Sequence, residues 1–278
     1  STRERQIQKA GGRCESCVGP QPDPSLKSPA RCDIFMRNDH DSAALMTLWE
    51  RALGQPARTR DDALLQGWTA NAEPVRSLGE RNARLMALHA RFFGPDIELL
   101  SHCPACNTVA PFSANCDALA AQMRSNLDDA PPYRLEVQRH VIEFRLPDSA
   151  DVAMVSSEKG DRDVTQLLLD RCVLACTCEG IDVSVGQLPE AVLGALSQQM
   201  ESLDPGASVS FALDCPKCAM HWQAPLDVGE VLWQKVRTAA EGMLLDIDAL
   251  ASAYGWTERE VLRLNPLRRA AYLQMVMA

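Results

Sequence analysis

The sequence predicts an α+β fold: mostly helical, with a small zinc-ribbon-like β element built from two Cys-Pro-x-Cys knuckles. Three observations carry this expectation. Apolar residues recur at helical spacing through most of the chain after residue 41. A short apolar run that reads as a strand enters each of Cys103-Pro104-Ala105-Cys106 and Cys215-Pro216-Lys217-Cys218. The 278 residues are 46% hydrophobic and 23% charged, so the chain can bury a core and is not disordered as a whole.

Residues 1–41 read as a disordered arm or a non-native extension. Gly11, Gly12, Pro20, Pro22, Pro24 and Pro29 fall in a stretch with no apolar periodicity, and Met36 is a candidate start. Residues 42–253 read as the body, with the knuckles at 95–113 and 208–226. Residues 254–278 read as a C-terminal helical knob.

In the body, Leu45, Leu48 and Trp49 predict a helix from Ser42 to Leu53, and a second is expected near Asp61 to Ala72. Ser77-Leu78-Gly79-Glu80 is a capping box: hydroxyl and carboxylate each satisfy an orphan backbone donor. The helix it opens carries Leu85, Leu88 and Phe92 and should stop at Gly94-Pro95. Strands are expected at Ile97 to Leu100, Tyr133 to Val137, Val141 to Leu146 and Val209 to Leu213. Helices are expected at Asp117 to Leu127, Val164 to Cys176, Pro189 to Leu203 and Asp227 to Tyr254. Each knuckle is expected to lead onward, past Pro111 or Pro225, into a helix.

Composition excludes some functions. A net charge of −9 and 5% aromatic residues make a poor nucleic-acid surface, which needs a basic face and stacking rings. No apolar run approaches the ~18 residues of a membrane span. No GxSxG, HExxH, Walker or GxGxxG pattern occurs, so no catalytic residue is assigned and an enzyme is not expected.

The eleven cysteines are an odd number without a secretion signal, which favours thiols or metal ligands over a disulfide framework. Cys103, Cys106, Cys215 and Cys218 form a CxxC…CxxC set. Two cysteines three positions apart on a tight turn present both sulfurs to one ion, and the second pair completes a tetrahedron. The expected cofactor is one structural zinc per chain. The 108 residues between Cys106 and Cys215 far exceed the ~15–20 of a compact ribbon, so spacing does not settle whether the pairs share one ion. A thiol-redox CxxC is the rival reading; it requires a pair at a helix start. His102 and His221 flank the knuckles and are alternative ligands. Cys14 and Cys17, with Cys32 beyond, form a third CxxC in the arm. Cys172 and Cys176 are expected four apart on one helix as buried small hydrophobes, while Cys116 and Cys178 stand alone.

In the last 35 residues, Gly255 ends one helix as a left-handed cap, Thr257 to Glu260 form a second capping box, and Asn265-Pro266 open a third helix. This helix–turn–helix pattern leaves a zinc-ribbon DNA-binding regulator as an alternative. Yet the last helix carries only Arg268 and Arg269 as base-reading candidates. The preferred reading is a knob for a protein partner, with Trp256, Arg268, Arg269 and Tyr272 as contacts.

The run LASAYGWTEREVLRLNPLRRAAYLQMV resembles the C-terminus of the baseplate hub assembly chaperone family of T-even phages and related contractile injection systems. Upstream, LGERNARLMALHARFFGPDIELLSHCPAC, VIEFRLPDSAD, LLLDRCVLAC, LPEAVLGALSQQMESLDPGASVSFALDCPKC and WQAPLDVGEVLW resemble successive blocks, covering about Ser42 to Ala278. The resemblance implies a non-enzymatic assembly or structural role in the hub of a contractile tail. It implies hub, spike or tail-tube proteins as partners, without nucleic acid or membrane insertion. It places the protein in the bacterial cytoplasm during assembly, or retained in the baseplate, with the metal ligands on Cys103, Cys106, Cys215 and Cys218. The family often has Gly after each knuckle, where this chain has Asn107 and Ala219. Ala resists the left-handed conformation, so the second knuckle is expected to be distorted.

Overall fold

The computed structural model describes residues 41–68, 75–123, 131–157 and 163–277. The expected arm, apart from Asp41, lies outside the described residues, as do Cys14, Cys17 and Cys32, residues 69–72 of the second expected helix and residues 124–127 of the fourth.

The chain runs α1 (Asp41–Ala52), α2 (Ala57–Trp68), α3 (Leu78–Phe93), β1 (Asp96–His102), β2 (Val109–Asn115) and α4 (Cys116–Met123). It continues through β3 (Tyr133–Val137), β4 (His140–Phe144), α5 (Ser149–Ser157), α6 (Val164–Cys172), β5 (Val173–Cys178), β6 (Ile181–Asp182), a 3₁₀ turn at Val185–Gln187 and α7 (Glu190–Leu203). It closes with β7 (Ser210–Asp214), β8 (His221–Pro225), α8 (Val228–Tyr254), α9 (Glu258–Leu262) and α10 (Pro266–Met277). The architecture is α+β and mostly helical, as expected.

Three apolar clusters hold it together. In the first, Leu45, Leu48, Leu64, Leu85, Phe92 and Leu119 close on Leu232 and Val236 of α8. Fully burying each such side chain contributes about 1.5–3 kcal/mol. In the second, Ile142, Phe144 and Cys176 of an antiparallel sheet, ordered β3-β4-β5-β6, face Val192 and Leu196 of α7. The third, around Leu250, Val261 and Leu273, packs α9 and α10 on the end of α8.

One segment differs from expectation in kind. The helix predicted from Val164 to Cys176 ends at Cys172, and the chain continues as β5. Cys172 and Cys176 therefore share no helix face; each is buried, one at a helix end and one inside a sheet. The run is compatible with helix by propensity, but pairing of Ile142 with Cys176 and Val141 with Thr177 makes β5 an inner strand. β6 and α5 carry weaker signals and are further additions.

A polar joint links the first two clusters. Asp204, just beyond α7, accepts hydrogen bonds from Ser77 Oγ (3.0 Å) and from the Gly79 amide (3.0 Å). Asn82 Nδ2 donates to the Gly206 carbonyl at 2.8 Å. The capping box of α3 is shifted by one residue. The Glu80 amide donates to Ser77 Oγ (3.1 Å), but the Glu80 carboxylate accepts from Arg76 N–H (2.9 Å).

A second buried carboxylate carries a pH prediction. Asp61 lies in α2 against α3 and α8, and burial pushes its pKa up from 3.8 to about 6; Arg81 and Arg60 oppose the shift, while Asp227 and Asp62 add to it. Between these values the folded state holds a proton that the unfolded chain has lost, so this group makes stability fall as pH rises from about 4 to about 6. At roughly 1.4 kcal/mol per unit the loss is about 3 kcal/mol at neutral pH. Asp61→Asn should recover most of it at pH 7 and little at pH 4, as read by urea unfolding at both values.

Candidate metal centre

Each knuckle is the tip of a β-hairpin. β1 pairs with β2 from Asp96↔Asn115 to His102↔Val109, and β7 pairs with β8 from Ser210↔Pro225 to Asp214↔His221. A return strand therefore stands between each knuckle and the expected helix, which follows as α4 after β2 and α8 after β8. Pro111 and Pro225 lie within those strands. A two-stranded ribbon has only edge strands, where a missing N–H is tolerated.

The two tips have the same backbone. The Cys103 amide donates to the Thr108 carbonyl (3.0 Å) and the Asn107 amide to the Cys103 carbonyl (2.9 Å). In the second hairpin the Cys215 amide donates to the Met220 carbonyl (2.9 Å) and the Ala219 amide to the Cys215 carbonyl (3.0 Å). Asn107 and Ala219 both have φ of 56°. The distortion expected at Ala219 does not occur; the turn holds alanine in the left-handed region, at a cost on the order of 1–2 kcal/mol.

The hairpins face each other through their half-buried sides. Phe112 and Phe211 have ring centroids 5.1 Å apart, and Trp222 Nε1–H donates to Ser101 Oγ at 3.4 Å. This stacking brings the tips together. The Sγ atoms of Cys103, Cys106, Cys215 and Cys218 all lie within 4.8 Å of one another, an arrangement compatible with a single metal site. Across the hairpins, Cys103 and Cys218 lie 3.6 Å apart and Cys106 and Cys215 lie 3.5 Å apart. Cys103 and Cys215 are buried, Cys106 is half-buried and Cys218 is exposed.

Hydrogen bonds favour negative charge on Cys106 and Cys215. Hydrogen bonding with Thr108, whose Oγ1 lies 3.2 Å from Cys106 Sγ, brings the Cys106 thiol down to about 6. Amide N–H groups of Cys218 (3.5 Å) and Lys217 (3.4 Å) point at Cys215 Sγ and lower that thiol. At Cys218 the Met220 amide also lowers the pKa, but the neighbouring sulfurs of Cys106 and Cys215 outweigh it and push the thiol up to about 12. Four thiols at such distances cannot all ionise unless a cation offsets their charge. Thr108, Ser101 and Trp222 were not singled out in the sequence. Only their closeness to the cysteines could have drawn attention to them.

The other candidates fall elsewhere. His102 and His221 end their strands outside the sulfur cluster, and His221 Nδ1 pairs with the Asp214 carboxylate. Neither CxxC opens a helix, which is the placement the redox reading requires. Cys116 is buried beside His89, whose Nδ1 lies 3.3 Å from its Sγ; burial pushes the thiol up to about 11.

In the knob, Tyr254 stacks on Trp256 at 4.8 Å, and Tyr272 meets Trp256 edge-on at 4.9 Å. Both caps form as expected: Thr257 and Glu260 make the reciprocal box, and Gly255 sits at φ 69°. Arg268 is exposed. Arg269, expected on the partner surface, is instead buried. Its Nη1 donates to Ser42 Oγ (3.3 Å) and its Nε lies 3.5 Å from Asp246 Oδ2. It fastens α10 to α1 and α8. Arg269→Ala should therefore cost about 2 kcal/mol, whereas Arg268→Ala should stay within about ±0.5 kcal/mol, as measured by urea unfolding.

No family model, curated protein or solved structure matches the chain. Among the described residues, no helix is long and apolar enough to cross a membrane.

Proposed function

We propose that this protein is a non-enzymatic assembly factor or structural component of a contractile-tail or injection-system baseplate hub, held in shape by one structural zinc. The observation that carries the zinc is the convergence of two knuckles separated by 108 residues. Zn–S bonds of ~2.3 Å place tetrahedral sulfurs ~3.8 Å apart. The cross-hairpin pairs, at 3.6 and 3.5 Å, are close to that spacing. Four thiolates fill the coordination sphere and leave no position for water, which suits a staple and not hydrolytic catalysis.

The hub reading is supported by the sequence blocks that resemble the hub assembly chaperones and by the surface of the knob. There Leu267, Met275 and Met277 of α10 are more than half exposed, apolar surface available to a protein partner such as a hub, spike or tail-tube protein. The test is removal of the gene from the organism that carries it, with complementation by wild type and by Leu267→Glu. Loss of assembled baseplates, restored by wild type and not by the variant, is the expected result. Normal tails without the gene would end the reading.

A further inference from the structure

The four sulfurs differ in what can reach them. Each cross-hairpin pair joins a buried cysteine to a more exposed one: Cys103 faces exposed Cys218, and Cys215 faces half-buried Cys106. A metal-bound cysteine is a thiolate whatever its pKa as a free thiol, so accessibility decides which sulfur meets a small oxidant first. That sulfur is Cys218. The sulfur poised to answer is Cys103, which lies across the hairpin boundary at 3.6 Å.

We propose that Cys218 is a peroxide-oxidised modification site and Cys103 its resolving thiol, so that oxidation exchanges the metal link between the hairpins for a Cys103–Cys218 disulfide. The proposal rests on the zinc reading above. The oxidant is hydrogen peroxide. The Cys218 thiolate attacks one peroxide oxygen; the O–O bond breaks, Cys218 becomes a sulfenic acid, and hydroxide leaves. The Cys103 thiolate then attacks Cys218 Sγ. An S–S bond forms, the S–O bond breaks, and a second hydroxide leaves. The two sulfurs have given up two electrons, and both hydroxides take protons from solvent to become water. The site keeps only Cys106 and Cys215, too few to retain the ion. The same reaction between those two requires a second peroxide.

The choice of partner matters for the fold. A disulfide within one knuckle would leave the hairpins unlinked. One between Cys103 and Cys218 closes almost the same loop as the metal did, so the chain keeps its long-range cross-link.

The test treats the zinc-loaded full-length protein with hydrogen peroxide while following zinc release with a chromogenic chelator, and maps disulfides by peptide mass spectrometry. Cys218→His and Cys106→His each keep four possible ligands, since imidazole can replace a thiolate on zinc. The expected result is a Cys103–Cys218 peptide appearing with the released zinc. Release should be several-fold slower in Cys218→His and near wild type in Cys106→His. Disulfides confined to Cys103–Cys106 and Cys215–Cys218, or equal slowing in both variants, would overturn the proposal. A wild-type protein with no zinc at the outset would instead overturn the reading on which it rests.

Discussion

Cys103→Ser and Cys215→Ser should each produce a chain that holds no metal at the knuckles and does not reach its native fold. Both residues are buried, so the loss removes a ligand and leaves a hydroxyl among three thiols at the bottom of the site. Structural zinc sites show apparent binding free energies of ~10–16 kcal/mol in small peptides. The entropy of closing a loop of ~100 residues alone is worth ~4–5 kcal/mol, by analogy with a disulfide. A typical domain has a total margin of only ~5–15 kcal/mol. Most or all of it should disappear. Far-ultraviolet circular dichroism and urea unfolding, run beside metal analysis, check this; a variant that unfolds within ~1 kcal/mol of wild type would contradict the staple.

Gly79→Ala should be strongly destabilising although it adds a single methyl group. A Cβ at residue 79 would fall 2.9 Å from Asp204 Cγ and 3.0 Å from the Gly206 carbonyl carbon, closer still to the carboxylate oxygen. Asp204 is buried and cannot move without releasing the Gly79 amide and Ser77 Oγ. Overpacking costs ~1–3 kcal/mol. A hydrogen bond lost to a charged group adds ~1.5–3 kcal/mol. A total of about 3–5 kcal/mol follows, visible as a lower urea midpoint with unchanged metal content. Asp204→Ala should relieve part of the clash. The double variant should therefore be less unstable than the sum of the singles.

Much of the helical frame was legible in the sequence because its signals are local. α3 and α9 open on Ser77 and Thr257, and each accepts the expected backbone amide; Asp227, at the expected start of α8, caps that helix as well. The four cysteines of the candidate site were legible for the same reason, since a CxxC turn is a local device. What brings the two turns together was not. The stacking of Phe112 on Phe211 and the bond from Trp222 to Ser101 join positions far apart in the chain, and no spacing rule reports them.

The missed strands share a cause. β2 and β8 carry proline and pair with one neighbour each, so their own residues say little about their state. β5 continues a helical run and is set by pairing with β4. Arg269 was misplaced by a related error. A charged residue near a chain end reads as surface, and only the fold supplies Ser42 and Asp246 to receive it.

The most direct test of the central claim is sulfur and zinc X-ray absorption on full-length protein purified without added metal, with elemental analysis of the same sample. The account predicts one zinc ion at the knuckles, surrounded by four sulfurs at ~2.3 Å, and loss of that ion in Cys215→Ser. Protein that carries no zinc and has Cys103, Cys106, Cys215 and Cys218 all open to thiol titration would contradict it.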